Sequence, residues 1–193
     1  MTGALTAERI LDAAEDTLRR FGPGKTTVVD VARSLGVSHG SVYRHFPNKA
    51  ALRDAVAERW LQRICVPLHP VVTEDGPAAE RAWRWLWLLS TTKREMASND
   101  PELFATYYAL ASEIREVVSD HLETLTELLA RIVADGVRRG EFAVDDPRET
   151  ARTMLSATTK FHHPAHAAEW ADPNLDREFE TVWELVRRGL ETR

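Results

Sequence analysis

The chain has 193 residues, of which 44% are hydrophobic and 28% are charged, so it can bury a sizeable core and is not globally disordered. A single cysteine, Cys65, excludes a disulfide-stapled scaffold and a cysteine-based zinc site. The longest strongly apolar run, Trp85 to Leu89, is far shorter than the ~20 residues of a membrane span, and no signal-peptide pattern opens the chain, so we expect a cytoplasmic protein with no membrane partner.

The charge is unevenly distributed along the chain. The formal net charge is −5, but residues 1–53 carry eight Lys and Arg against five Asp and Glu, whereas residues 54–193 carry seventeen against twenty-five. This asymmetry indicates that only the N-terminal part approaches an anionic partner. An excess of this size also arises by chance, so the interpretation depends on the residues themselves.

Helical periodicity dominates the N-terminal part of the sequence. Apolar residues from Ile10 to Phe21 recur at intervals of three or four, and the Gly-Pro-Gly of residues 22–24 stops this first helix. Thr27, with Asp30 three residues later, predicts a capping box that opens a second helix.

The following stretch predicts two more helices separated by short breaks. Gly36 ends the second helix, and Ser38 caps a third, very short helix that runs to about His45. Asn48 caps a fourth that reaches Cys65, and we expect it to be the only long element touching both parts of the protein. Three prolines in residues 66–77 predict a loop after it.

The remaining two thirds of the chain also predict helices. An apolar, buried helix runs from Pro77 to about residue 96, another begins at residues 99–102, and a long amphipathic helix runs from Ile114 to about residue 140. The last two helices span about 147–162 and 174–190. No alternating pattern predicts a strand, so the expected fold is all-α with about nine helices.

Residues 27–46 have the pattern of a helix-turn-helix: two short helices joined by the three-residue turn 36–38. Small, polar side chains rich in donors cover the second helix, as a DNA groove requires. Gly40 is unfavourable inside a helix, and its advantage would be close approach of the backbone to a phosphate or a base edge. The alternative is a surface helix in an unrelated bundle.

Five stretches within residues 6–58 form a longer pattern. They are Ile10-Leu-Asp-Ala-Ala14, Phe21-Gly22, Thr26-Thr-Val-Val-Asp30-Val-Ala32, Leu35-Gly-Val-Ser38 and Gly40-Ser-Val-Tyr43-Arg-His45-Phe46-Pro-Asn-Lys49-Ala-Ala-Leu52. This part of the chain resembles the N-terminal domain of the TetR family of bacterial transcriptional regulators. The resemblance implies a helix-turn-helix domain in residues 1–49, a connecting helix at about 48–65, and a ligand-binding and dimerisation domain in 66–193. The C-terminal part matches the family in architecture only. The resemblance also implies repression from a palindromic operator, relieved by a small apolar ligand.

The resemblance also implies roles for individual residues on double-stranded operator DNA. Thr27 would hold a phosphate at a helix N-terminus, and Tyr43, His45 and Lys49 would contact backbone phosphates. Arg44 is the best candidate for a bidentate contact to guanine. The implied DNA-binding set is Thr27, Ser38, His39, Gly40, Ser41, Tyr43, Arg44, His45 and Lys49.

Aromatic residues in the middle of the chain predict either ordinary core or the wall of a cavity for a hydrophobic or aromatic effector. Trp83 and Trp87 are four residues apart and share a helix face, and ligand pockets are largely apolar with a few polar groups. His121, alone on the apolar face of the long helix, is either a satisfied core residue or a ligand contact. The candidate ligand-binding set is Trp83, Trp87, Ser90, Phe104, Tyr107, Tyr108 and His121.

The last two predicted helices carry more apolar positions than one helix face uses inside a monomer. Paired across a twofold axis, they would form a four-helix bundle in a homodimer. The candidate interface residues are Met154, Leu155, Phe161, Phe179, Trp183 and Val186.

Three further patterns favour structural roles. Residues 24–26, Gly-Lys-Thr, lack the earlier glycine of a phosphate-binding loop. His162, His163 and His166 are interrupted by a proline, which favours capping or packing over a metal site, and Cys65 fits a buried thiol. We therefore expect no catalysis, no metal and no cofactor. The alternative is a small helical-bundle enzyme or carrier that uses the Trp-rich cavity.

Overall fold

The computed structural model describes residues 4–113 and 115–191, so Ile114, the predicted start of the long helix, lies outside the described residues. The described residues confirm the all-α fold and contain, instead of a strand, one isolated bridge between Phe142 and Glu191. Two short 3₁₀ segments, Val66–Leu68 and Pro164–Glu169, accompany eleven α-helices. The α-helices are α1 Ala7–Lys25, α2 Val28–Ser34, α3 His39–Tyr43, α4 Lys49–Cys65, α5 His69–Thr73, α6 Ala78–Asn99, α7 Pro101–Glu113, α8 Arg115–Arg138, α9 Pro147–Ala157, α10 Thr159–His162 and α11 Leu175–Leu190.

Two differences separate these helices from the nine expected. The proline-containing segment after α4 is not a loop throughout, because the prolines at residues 67 and 70 lie in first turns, where a missing N–H is tolerated. The helix expected at 147–162 divides at Thr158, which has φ of −99° and ψ of 9°. The Thr158 hydroxyl donates to the Met154 carbonyl at 2.8 Å, which supports this change of direction.

The chain folds into two compact units. Unit 1 consists of the described residues of Met1–Gln62 and Asp100–Ser119, and unit 2 of those of Arg63–Asn99 and Asp120–Arg193. Both α4 and α8 therefore contribute residues to each unit, so the expectation that α4 alone would do so is wrong. The sequence boundary at residue 49 stays a prediction, and unit 1 extends beyond it because it holds most of α4 and all of α7.

Unit 1 has a small apolar core that fixes the helix-turn-helix. Val31 and Val42 are fully buried, whereas Val37 in the turn is only half-buried. Phe21 was expected on the buried face of α1 but is 54% exposed. It lies in the last regular turn before Gly22, where a φ of +71° breaks the helix and redirects the chain.

Unit 2 forms a core around α6. Trp85, Leu86 and Leu89 on this helix are fully buried. In α8, a Cβ on Gly136 would lie 2.3 Å from the Phe142 ring, so only glycine permits this packing. No helix within the described ranges is long and apolar enough to cross a membrane.

The core of unit 2 also contains most residues expected at a dimer interface. Five of the six are at least nine-tenths buried within the single chain, and Val186 is half-buried. The premise that these positions exceed what a monomer can bury is therefore wrong, because α6 and α10 supply the facing surfaces. The interface itself stays a prediction. The five buried residues are Met154, Leu155, Phe161, Phe179 and Trp183.

Candidate nucleic-acid interface and buried polar cluster

The first turn of α2 is held by the predicted capping box. Thr27 Oγ1 accepts a hydrogen bond from the Asp30 backbone N–H at 3.2 Å, while the Thr27 N–H and hydroxyl both donate to Asp30 Oδ2, at 3.1 and 2.6 Å. These bonds favour the ionised carboxylate and lower the pKa of Asp30. Thr27 is exposed at the helix N-terminus, and its phosphate contact stays a prediction.

The turn and α3 follow from three residues. Gly36 adopts φ of +66°, the left-handed conformation that ends a helix at least cost with glycine. Ser38 caps α3, because its Oγ accepts from the Ser41 N–H at 3.2 Å. Val42 is the one residue of α3 that is buried, Ser41 is half-buried, and the other three residues of this short helix are exposed.

The outward face of α3 carries hydrogen-bond donors and, at Gly40, a position with room for a side chain. Tyr43 is 41% exposed, and its ring lies edge-on to His39 with 6.1 Å between the centroids. Arg44 Nη2 donates to Ser41 Oγ at 3.3 Å, which directs the guanidinium along the helix. A Cβ on Gly40 would meet only Ser38 Oγ, at 3.8 Å, so nothing in this chain requires glycine there.

Positive charge concentrates around α3. Residues 36–53 contain Arg44, Lys49 and Arg53 and no acidic residue. Lys49 begins α4, where Asn48 Oδ1 accepts from the Ala51 N–H at 2.8 Å, which confirms the predicted cap. Elsewhere in unit 1, Arg19 and Arg59 neutralise three acidic side chains of α1, namely Asp12, Glu15 and Asp16.

This arrangement agrees with two family profiles. The profile described as "Bacterial regulatory proteins, tetR family" matches residues 10–56, and that described as "Tetracyclin repressor-like, C-terminal domain" matches residues 78–183. The chain belongs to the TetR family. The expectation of a DNA-binding transcriptional regulator is thereby confirmed.

Curated relatives and solved structures agree with the assignment to the TetR family. An uncharacterised HTH-type transcriptional regulator of Mycobacterium tuberculosis is 28% identical over 148 residues, which are 77% of this chain and 68% of the relative. SmeT, described as the repressor of the Stenotrophomonas maltophilia multidrug efflux pump SmeDEF, gives a TM-score of 0.69 at 22% identity, covering 99% of this chain and 92% of SmeT. FadR from Bacillus subtilis, solved with stearoyl-CoA, gives 0.67 at 18% identity, covering 95% and 99%. At such identities the structures show a shared fold.

The residues predicted to line a ligand cavity are divided between the two units. Three of them lie on α7 in unit 1, where Tyr107 stacks on Trp60 with 4.6 Å between ring centroids and Phe104 meets the same indole edge-on at 5.7 Å. Tyr108 is 38% exposed. Core packing of unit 1 accounts for Phe104 and Tyr107, and their ligand role stays a prediction.

Trp83 and Trp87 lie in unit 2 and face α11. Their rings stack with centroids 5.7 Å apart, the Trp83 indole N–H donates to Glu180 at 3.2 Å, and Trp87 meets Phe179 edge-on at 5.2 Å. Trp83 also lines an open groove of about 560 Å³ with charged residues of α6 and α11. Ser90 is buried and donates to the Phe161 carbonyl at 2.8 Å.

His121 belongs to a buried polar cluster that the sequence analysis missed in part. Its Nδ1 lies 3.6 Å from Cys65 Sγ, and both residues are buried, as expected for the thiol. The additional member is Lys93 of α6, which is only 6% exposed. The signal was present, because Lys93 follows Trp85 and Leu89 at intervals of four on the buried face of the helix.

The three histidines near α10 have separate roles. His162 is buried and bonded to the Leu155 carbonyl at 3.2 Å, and burial, with the nearby Lys93 charge, lowers its pKa to about 3. His163 caps the following 3₁₀ segment by accepting from a backbone N–H, as the capping prediction required, and His166 pairs with a glutamate. No group of three potential metal ligands occurs within the described part of the chain.

Proposed function

We propose that this TetR-family protein represses transcription as a homodimer on a palindromic operator and that a small molecule bound by unit 2 releases it. The observation that carries the proposal is the surface of α3, where Val42 is the one buried residue and the side chains of His39 and Tyr43 are exposed. Its role requires binding and release, and no catalysis. The similarity to SmeT and to a FadR that binds stearoyl-CoA supports repression and an organic effector.

The chemistry of α3 fits base readout in the major groove. Arg44 supplies a planar pair of donors suited to guanine O6 and N7, and the glycine at position 40 lets the helix backbone approach the DNA closely. Tyr43 and Lys49 flank this surface as phosphate contacts, which fix the register of the helix. Two copies of α3 would read half-sites about 34–36 Å apart.

The exposed face of α11 is the surface that we propose for dimerisation. Leu185 is 68% exposed, and its neighbours Val182 and Val186 are half-buried. Leu185→Asp should give a monomer in sedimentation velocity and abolish tight operator binding, because a single half-site offers too little contact. Val66→Asp is the matched control, since Val66 is 67% exposed in unit 2 and lies outside α11. A dimeric Leu185→Asp protein would place the interface elsewhere.

The route from effector to DNA would pass through α4. This helix begins with Lys49, a proposed phosphate contact, and ends at Cys65 in the buried polar cluster of unit 2. An effector weakens DNA binding only if it prefers a conformation in which the reading helices are wrongly placed. A small change at Cys65 would be transmitted along a continuous helix, and α8 offers a second such connection.

A mobility-shift assay on DNA from both sides of its own gene tests repression directly. We expect one specific complex on a fragment that contains an inverted repeat. Inserting about five base pairs between the half-sites should abolish it, because the second half-site then faces the opposite side of the duplex. Equal affinity for the fragment, its insertion variant and unrelated DNA would refute sequence-specific repression.

A further inference from the structure

The interior of unit 2 holds a positive charge without a counter-charge. Lys93 is 6% exposed, and among the described residues it has no carboxylate partner. Every other lysine is exposed or, like Lys160, paired with glutamates. Burial of an unpaired ammonium is unfavourable by several kcal/mol, so a lysine at this position points to an anionic partner.

The groups around Lys93 do not supply that anion. Its charge acts on Cys65, His121, His162 and His163. Burial raises the pKa of the Cys65 thiol, so the sulfur stays protonated at neutral pH. Burial and the lysine together lower the pKa of His121 to about 3, which keeps the imidazole neutral.

The same cluster contains a ring nitrogen that lacks a partner. His121 Nε2 is buried and has no hydrogen-bond partner. When the protonated Cys65 thiol, 3.6 Å from Nδ1, donates to that nitrogen, the neutral ring carries its hydrogen on Nε2, which is then a donor. Trp85 lies two turns before Lys93 on the same face of α6, and its buried indole N–H also lacks an acceptor. Buried donors without partners are rare, and here they accompany the unpaired lysine.

We propose that Lys93 and His121 anchor the acid group of the effector, which is an apolar molecule carrying a single carboxylate. The carboxylate would accept charge-assisted hydrogen bonds from Lys93 Nζ and from His121 Nε2–H, which satisfies both groups. The inference rests on the proposed function, since it names the effector class that unit 2 recognises. It also refines the expectation of an apolar or aromatic effector by adding an acid group, which Lys93 would bind.

The single buried charge distinguishes a carboxylate from a phosphate. One ammonium neutralises one carboxylate, whereas a phosphate monoester carries nearly two negative charges and would leave one of them buried without a partner. On the same helix, Leu86 and Leu89 are apolar and fully buried. An aliphatic or aromatic body would pack against such side chains beside the acid group.

Isothermal titration with matched probes tests the anchor directly. The probes are decanoate and 4-phenylbutyrate, each with the corresponding alcohol, and decyl phosphate represents the other acid class. We expect at least one carboxylate to bind about tenfold or more tightly than its alcohol and than decyl phosphate. Lys93→Met should remove this preference, whereas Lys160→Met should retain it, because glutamates already neutralise Lys160.

A second measurement follows the lysine itself. The chain has four lysines, so the side-chain signals of ¹³C-labelled lysine can be assigned with single Lys→Met variants. Saturating the protein with the carboxylate that binds best should raise the pKa of Lys93 from about 8 toward its ordinary value of 10.5. The signal of Lys160 should not move.

Binding of the acid and release of the operator are measured separately, so each can fail without the other. The anchor is overturned if no acid binds, if acids and alcohols bind alike, or if Lys93→Met keeps the preference. A carboxylate that binds through Lys93 but leaves operator affinity unchanged supports the anchor and contradicts the ligand control in the proposed function. A protein that fails to bind any operator fragment, yet binds acids through Lys93, contradicts repression alone.

Discussion

The two units carry unpaired positive charge in opposite environments. In unit 1, Arg44 and Lys49 lie on the surface, where water solvates them and an approaching polyanion finds them. In unit 2, Lys93 is inside, where its charge destabilises the fold until a partner arrives. A surface site therefore stays empty without loss of stability, whereas an empty interior site with a buried charge destabilises the fold. Stability measurements therefore test the interior site even before its ligand is identified.

The largest expected effect is a gain of stability on removing the interior charge. Burial lowers the pKa of Lys93 from 10.5 to about 8, which corresponds to about 3 kcal/mol of destabilisation at pH 7. Lys93→Met keeps a side chain of similar length and removes the charge. It should therefore raise the free energy of unfolding in urea by up to that amount. Lys160→Met should give no gain, because it disrupts an ion pair.

The pH dependence of this gain has a defined sign. Below pH 8 the lysine is protonated in both the folded and unfolded states, so the full penalty is present. Between pH 8 and 10.5 the folded state releases its proton first, and the advantage of Lys93→Met should shrink. His121, His162 and His163 are neutral in this range, and loss of the lysine raises the pKa of the buried Cys65 thiol further, so the thiol stays protonated in the folded state. A gain that is constant from pH 7 to 10.5 would contradict a buried charged lysine.

The contrast between the two units also explains what the sequence could predict. The helix-turn-helix is specified locally, because Thr27, Gly36 and Ser38 act on backbone groups within a few residues of themselves. The cluster around Lys93 is assembled from α4, α6, α8 and α10, so no short pattern contains it. Only the spacing of Lys93 from Leu89 placed it on a buried face, and spacing alone does not show which side chains meet it.

The same limit applies to the tryptophans and to the dimer interface. The interval between Trp83 and Trp87 correctly places them on one face, but the interval does not reveal that the face packs on α11. The sequence correctly indicates apolar residues on α9 and α11. However, Phe179 packs on Trp87 and Phe161, and no spacing within α11 reveals these partners. Helix existence is a local property, whereas the choice of facing partners is a property of the assembled core.

The next largest effect concerns base readout at the surface site. Arg44→Ala should weaken operator binding by about 1–3 kcal/mol and relax the preference at one base pair, provided that Arg44 reads a base edge. Stability should not change, because the side chain is exposed and makes a single long hydrogen bond to Ser41. Competition binding with every single-base variant of one half-site measures the loss of affinity and the change in base preference. A uniform loss across all variants would instead assign Arg44 to a phosphate.

Gly40 separates folding from recognition within α3. Since a Cβ there meets no atom closer than 3.8 Å, Gly40→Ala should leave the fold intact and raise stability by up to about 1 kcal/mol through helix propensity. Operator affinity should fall by about fivefold or more if the backbone approaches DNA at this position. Gly136→Ala is the contrasting variant, because its Cβ would clash with Phe142 and should destabilise the protein by about 1–3 kcal/mol. Unchanged operator affinity for Gly40→Ala would remove the close-approach explanation.

The smallest effect should come from a single phosphate contact. Lys49→Ala should weaken binding to specific and unrelated DNA to a similar extent, because a phosphate contact carries no sequence information. The slope of log affinity against log salt concentration should fall by about one, since one fewer counterion is released on binding. Lys160→Ala removes the same charge from unit 2 and should leave the slope unchanged, which excludes a general effect of net charge. A loss confined to the specific operator would show that Lys49 reads sequence, and the surface site would then extend from α3 into the first turn of α4.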